Sequence, residues 1–284
     1  MTATAFAAPG FEIDRRASIR GLFARFYTDA PTFTIAGLAM LGLMLPTAMA
    51  AIVDGRTLHG VDVWQKPLKF QAALVIYLLT LAFYARWLPP DMTRRRGYRV
   101  YSGVVVAAIF AEIVWISGAA AQGIGSHFNE ATPLMARLYN IMGALAVLLT
   151  SASAVYAVAI ARNGGFGAGP AARAALVLGL GLVLPLTLVT AGTLAQNGGH
   201  WVGGTPDDGL GLPVMGWSRD GGDLRVPHFF ATHAMHFVPA FGLVSMAVFG
   251  PARRWPVVAF AVLYAAFTGL VFAQALAGRP FPFG

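Results

Sequence analysis

Seven mostly apolar stretches, each long enough to cross a bilayer core of ~30 Å as a helix of about 20 residues, leave the chain few folds to adopt. They run over residues 32–53, 70–89, 100–121, 134–161, 174–195, 228–249 and 255–276. The segments between them are rich in Arg, Gly, Pro and Asp, which a hydrocarbon interior rejects because every unpaired backbone group there carries a large penalty. The expected fold is all-α, a polytopic membrane protein with seven transmembrane helices over residues 32–284 and an N-terminal segment at 1–31. Composition agrees: of 284 residues, 57% are hydrophobic and 11% charged, against roughly 25% charged in an ordinary soluble domain. A soluble domain and a disordered chain are both excluded.

The arginines set an orientation. Arg15, Arg16, Arg20 and Arg25 precede the first span, and Arg94, Arg95, Arg96 and Arg99 follow the second. Arg162 and Arg173 flank the connection between the fourth and fifth, while Arg253 and Arg254 lie between the sixth and seventh. All fall on one side, which the positive-inside rule makes cytoplasmic, so the N-terminus is expected inside and the C-terminus outside a cell inner (plasma) membrane. The net charge of +8 is then topological, and no nucleic-acid partner is expected. Residues 11–27 alternate Phe11, Ile13, Ile19, Phe23 and Phe26 with arginines, the pattern of an amphipathic helix lying on the cytoplasmic leaflet. No charged segment followed by an apolar core opens the chain, so no cleavable signal peptide is expected.

Two parts of the sequence echo each other. Gly42-Leu43-Met44-Leu45-Pro46 in the first span, with His59 beyond its outer end, matches Gly181-Leu182-Val183-Leu184-Pro185 in the fifth, with His200 beyond its outer end. Lys69-Phe70 and His228-Phe229 open the second and sixth spans, and Gln122 and Gln274 close the third and seventh. Read together, these give a 3+1+3 parallel repeat. That layout resembles the SWEET sugar transporters, and the resemblance implies a solute site between the repeats near the midplane.

Chemistry concentrates on the outer side. All six histidines are expected there: His59, His127 and His200 in loops, and His228, His233 and His236 in the first turns of the sixth span. At about 100° per residue the last three fall within an arc of roughly 140°, so one helix face can present them. His233 and His236 have the i, i+3 spacing at which neighbouring helical side chains can share a metal. The helical rise puts His236 about 12 Å below the outer boundary and Glu112 about 18 Å above the inner one, depths that coincide in a ~30 Å core. Glu112 is the only acid inside a span, which marks it as a candidate catalytic residue; Ser117, Asn140 and Gln122 are its candidate partners if it is structural.

Other residues complete the candidate site. Arg137, one turn into the fourth span, can pair with Glu130, snorkel outward or hold an anionic group such as a haem propionate. Lys66 and Lys69 are the only lysines and stand at the outer end of the second span, against the usual bias, so Lys69 is a candidate ligand-binding residue. Residues 196–227 form a long outward loop whose Trp201, Trp217, Leu210, Leu212 and Met215 predict an ordered lid, with Trp201 against the cofactor. Asp220 and Asp223 are candidate orienters of histidine ligands.

Three functions follow as expectations. With no cysteine, any metal must sit on His, carboxylate or carbonyl. The leading reading is a metal- or haem-binding membrane oxidoreductase or electron-transfer protein. It places Zn, Cu, Fe or haem b on His233 and His236, with His228, His127 or His200 completing the shell and quinone or a small molecule as partner. The second is a solute transporter on the 3+1+3 plan, which requires polar residues to reach the inner side as well; spans one, two, five and seven are nearly apolar there. The third is a zinc-dependent hydrolase with Glu112 as general base, similar to the seven-span zinc ceramidases in helix count and histidine use. A retinal protein is excluded because the seventh span has no lysine for a Schiff base.

Overall fold

The computed structural model describes residues 19–281. Among them, seven helices are long and apolar enough to cross a membrane: α2 (Pro31–Val53), α3 (Gln65–Tyr84), α4 (Arg96–Gln122), α5 (Pro133–Arg162), α6 (Gly169–Gln196), α7 (Arg225–Phe249) and α8 (Trp255–Leu276). A shorter helix, α1 (Ile19–Asp29), precedes them. It covers part of the expected amphipathic segment; residues 11–18 lie outside the described residues. Exposure confirms an apolar surroundings for the bundle. Val114, Leu263 and Ile52 are 70%, 67% and 84% exposed, whereas Glu112, Gln71, Ser153 and Thr268 are buried, the reverse of a water-soluble fold.

Six of the seven helices begin and end within a few residues of the expected spans. The second differs most: α3 runs from Gln65 to Tyr84 rather than over 70–89, while α6 shares only the early start, at Gly169 rather than residue 174. The polar first turn of α3 is sheltered by the loop above it, where Lys69 donates to Gln65 Oε1 at 3.0 Å and to the Met215 carbonyl at 3.3 Å. A hydropathy reading penalises those residues because it cannot see that shelter. At the start of α5 the sequence signal is local and clear. Thr132 accepts from the Met135 N–H at 3.2 Å, and Pro133 occupies the first helical position, where a missing N–H is harmless.

The expectation of an all-α chain is modified by two small antiparallel ribbons. β1 (Thr57–Leu58) pairs with β2 (Val61–Asp62) between α2 and α3, and β3 (Trp201–Val202) pairs with β4 (Gly222–Asp223) between α6 and α7. Helix contacts link α2, α3 and α4 with one another and α6, α7 and α8 with one another, while α5 packs on both α4 and α6.

Helix kinks sit at this packing. Pro239 within α7 removes the N–H that would serve the Met235 carbonyl four residues back, and the Tyr84 hydroxyl of α3 donates to that carbonyl at 2.9 Å. In α2, the carbonyl of Leu43 beside the Pro46 kink accepts from Thr47 Oγ1 at 2.9 Å, and Gln71 of α3 holds Thr47 through a 2.9 Å bond. The Pro239 ring lies against Gly179 of α6, where an added Cβ would stand 2.7 Å from the proline Cδ. One turn further on, Gly242 faces Ala175 so closely that an added Cβ would fall 2.4 Å from the alanine Cβ. Small residues thus set the separation of α6 and α7.

Candidate functional site

Residues 197–224 fold across one end of the bundle, opposite the arginine-rich turns. The Asp208 N–H donates to the His59 carbonyl at 2.9 Å, the Leu224 N–H donates to the His200 carbonyl at 2.8 Å, and Trp217 is buried against Phe229, Val226 and Val271. Two arms fasten this lid to the start of α7. Asp223, 2% exposed, accepts from the Arg225 guanidinium at 2.6 Å and from the Ser218 N–H at 3.0 Å. Arg225 also reaches the Gly216 carbonyl at 2.6 Å and Asp208 at 2.8 Å.

Asp208 in turn holds His200 at 3.1 Å. Burial lowers the pKa of the His200 ring more than its bond to Asp208 raises it, so the ring is held below the ordinary imidazole value. Burial alone would raise Asp208, but the hydrogen bond from His200 and the charge of Arg225 outweigh it and hold the carboxyl below its ordinary value. At neutral pH the pair is a neutral imidazole on a carboxylate. A base whose folded pKa is depressed contributes stability that is complete above its unfolded value, about 6.5, and that is lost as pH falls through the folded value. Amide hydrogen exchange across 200–224, corrected for its intrinsic pH dependence, should therefore accelerate as pH falls from 7 to 5; the same acidification should leave His200→Gln nearly unchanged.

Beneath the lid lies a set of polar side chains. Lys66 lies on the first turn of α3, 5.9 Å from the centre of the Phe70 ring, within electrostatic reach of Glu112, Asp208, Arg225 and His127. Glu112 is 5% exposed and its Oε1 has no hydrogen-bond partner. None of the partners expected for a structural acid, Ser117, Asn140 and Gln122, bonds this oxygen: Gln122 donates to the Gly118 carbonyl, and Asn140 is exposed. The connection after α4 is pinned by Trp115, whose Nε1 donates to the Ser126 carbonyl at 2.8 Å. It carries Phe128 at a φ of 56°, a left-handed conformation unusual for a bulky residue. This turn sets His127 beside Phe70 and Tyr139, its Nδ1 3.1 Å from Ser126 Oγ. Burial among these rings pushes the His127 pKa well below the ordinary value.

The three histidines of α7 do not converge. His228 turns to α6, where its Nδ1 meets Thr190 Oγ1 at 3.2 Å, whereas His236 turns to α3, where its Nε2 meets Thr80 Oγ1 at 3.0 Å. An arc of roughly 140° is wide enough to divide these rings between two neighbouring helices. His233 and His236 do meet, Nδ1 to Nδ1 at 3.1 Å, with Phe229 packed on the His233 ring at 4.2 Å. Within this contact one ring donates and the other accepts, and Thr80 completes the line in either tautomeric state. Among the described residues, no group of three or more His, Cys, Asp or Glu side chains stands close enough to hold one metal ion.

The remaining sequence candidates are dispersed. The Trp201 ring lies 3.7 Å from the His200 ring, tilted by 39°, with the His59 ring 5.3 Å away, and its buried Nε1 has no hydrogen-bond partner. Lys69 is tied to the lid. Arg137 is exposed and forms no ion pair with the described residues. Asp220 binds Thr205 and Ser218, and Asp223 binds Arg225; the carboxylate that orients a histidine is Asp208 instead.

Sequence reading also missed a series of hydroxyls toward the arginine-rich end. Tyr77 donates to the Leu149 carbonyl at 2.6 Å, Tyr101 meets Ser151 at 2.7 Å, and Tyr98 meets the fully buried Tyr156 at 2.6 Å. They lie where α3, α4 and α5 pack. The available signal was tyrosine well inside the spans at 77 and 156; Tyr98 and Tyr101 stand at the start of α4, where amphipathic rings ordinarily sit.

Compared with family models, curated proteins and solved structures, the chain matches none.

Proposed function

We propose that this chain is a membrane transport protein that binds a small solute beneath its lid and relays protons, built on the 3+1+3 plan with α2–α4 and α6–α8 as its two triplets. One observation carries this reading: hydrogen-bonding groups from both triplets meet at the α3–α7 seam, Thr80 with His236 and His233, with Lys66 and Glu112, whose Oε1 has no hydrogen-bond partner, on the lid side. The hydroxyl pairs Tyr101–Ser151 and Tyr98–Tyr156 place polar groups nearer the arginine-rich end, as a through-path requires. A buried carboxyl inside a span is costly and is by default a functional candidate. The lid end would face outward and the arginine-rich end the cytoplasm of an inner-membrane protein, with the N-terminus inside and the C-terminus outside.

The test uses proteoliposomes loaded with a pH-sensitive dye and energised by a potassium diffusion potential, with monosaccharides and short carboxylic acids supplied outside. Proton entry should exceed that of protein-free vesicles and fall at least tenfold in Glu112→Gln. Entry equal to that of protein-free vesicles, or unchanged by the substitution, would falsify the reading.

A second reading has its own observation. Nitrogens 3.1 Å apart match the bite of two imidazoles on a metal ion at about 2.0–2.1 Å from each, so His233 and His236 would supply two ligands of a Zn, Cu or Fe site, with water or substrate supplying the rest. Under this reading the purified protein carries about one metal ion per chain, and His233→Ala and His236→Ala each lose most of it. A Soret band would place haem b there instead, with quinone as a redox partner. Full metal occupancy in both variants removes this ligand pair.

A further inference from the structure

At the arginine-rich end, the segment between α3 and α4 and the last turns of α5 enclose a cleft of about 570 Å³. Its rim carries Arg95 and Arg162, and its wall is Ala154, Val155, Val158 and Ala159 of α5, with Met92 opposite. Both arginines are exposed, and neither guanidinium has a hydrogen-bond or ion-pair partner among the described residues. Local acids do not neutralise them. Of the described acids at this end, Asp91 lies 3.6 Å from Arg94 and Asp29 is within electrostatic reach of Arg86. From Arg162 to Ala154 the cleft wall descends along eight residues of helix, or about 12 Å. The ligand this shape fits is amphipathic, with an anion at the rim and an apolar tail running down the wall.

A second cleft, of about 370 Å³, repeats the arrangement on the other side of the α5 terminus. Arg173 and Arg254 stand at its rim, and Phe166, Ala174 and Val177 line it. Arg173 lies 5.5 Å from the centre of the Phe166 ring and donates to the Ile160 and Asn163 carbonyls that end α5, with no ion-pair partner among the described residues.

From this we infer that the cleft beside Arg95 and Arg162 is a binding site for an anionic phospholipid, the phosphate paired with the two guanidinium groups and an acyl chain laid along Ala154, Val155 and Val158. Guanidinium forks suit phosphate oxygens, and basic pockets between helices at a membrane face hold anionic headgroups. The apolar wall distinguishes a lipid from free phosphate, which would gain nothing from it. The site is at the far end of the molecule from the lid and does not depend on the function proposed above.

Native mass spectrometry of the purified full chain tests this with phosphatidylglycerol, phosphatidylcholine of the same acyl chains, and inorganic phosphate. Phosphatidylglycerol should be retained at least tenfold more tightly than phosphatidylcholine, and inorganic phosphate in excess should not displace it. The double substitution Arg95→Gln with Arg162→Gln should remove that preference, because both side chains are exposed and their loss does not compromise folding. Val158→Trp, which fills the cleft but keeps the charges, should weaken retention by a similar factor. Equal retention of the two lipids, displacement by inorganic phosphate, or undiminished preference in the arginine double variant would overturn the assignment.

Discussion

Replacing Asp223 with asparagine should release the lid while leaving the helical bundle assembled. The carboxylate is 2% exposed and accepts from the Arg225 main chain at 2.9 Å, from its guanidinium at 2.6 Å, and from the Ser218 N–H at 3.0 Å. An amide in its place loses the charge and turns an N–H₂ toward existing donors. Removing one partner of a buried pair costs about 3–5 kcal/mol. Here Arg225 keeps Asp208 at 2.8 Å and its side chain is 26% exposed, which reduces the expected cost to about 2–4 kcal/mol. At 1.4 kcal/mol per factor of ten, even the lower figure accelerates exchange of the 200–224 amides by roughly 30-fold. Amides in α5 and α6 should keep their protection. Asp220→Asn is the matched control, since Asp220 is exposed and bonds only within the loop to Thr205 and Ser218. Unchanged exchange in Asp223→Asn would show that the lid is held by its apolar contacts, Trp217 foremost, and not by this ion pair.

The bundle was legible in the sequence because membrane insertion is a one-dimensional constraint. Long apolar runs must be helices, and their number and approximate limits need no knowledge of what lies beside them. Where a neighbour changes the solvent, that reasoning fails. Gln65, Lys66 and Lys69 read as the polar approach to a span, yet they form its first turn because the 197–224 loop covers them. The length of the 196–227 loop and its tryptophans suggest an ordered segment, but nothing in them shows its latch. Asp220 and Asp223 look like Asp208 in sequence; only the fold brings Asp208 against His200 and Arg225.

The histidines show the same limit in a sharper form. Helical spacing correctly placed His233 beside His236, since a pair at i, i+3 needs only its own helix to meet. Whether His228 joined them depended on which neighbours packed against α7, and Thr190 and Thr80 draw His228 and His236 toward different helices. Hydroxyls were overlooked for a related reason. Tyr77, Tyr98, Tyr101 and Tyr156 count toward the apolar content of their spans, although a buried phenol must find a hydrogen-bond partner. Their pairing across α3, α4 and α5 puts hydrogen-bonded hydroxyls into a part of the chain that reads as wholly apolar.

The position of the α7 histidines rests on a contact between two small residues, so substituting Gly242 should be felt both in stability and at the site. An added Cβ there would fall 2.4 Å from the Ala175 Cβ, at a point where α6 and α7 pack backbone to backbone. Leucine cannot be accommodated by a rotamer change, because the conflict begins at Cβ, and the helices must separate. Overpacking of this kind costs about 1–3 kcal/mol and more where the backbone has to move, so Gly242→Leu should cost about 3 kcal/mol. For a chain of this size that corresponds to a fall of roughly 6–12 °C in the midpoint of thermal unfolding in detergent. Gly143→Leu, at an exposed glycine with nothing within 4 Å of the added Cβ, should shift it little. Combining Gly242→Ala with Ala175→Gly returns the methyl group from one helix to the other and should recover most of the loss suffered by Gly242→Ala alone. Separation of α7 from α6 also parts His228 from Thr190, now 3.2 Å apart, so the imidazole resonances of His228 should move in Gly242→Leu and return in the compensated pair. A midpoint unchanged by Gly242→Leu would mean that α6 and α7 do not approach as closely as these two residues require.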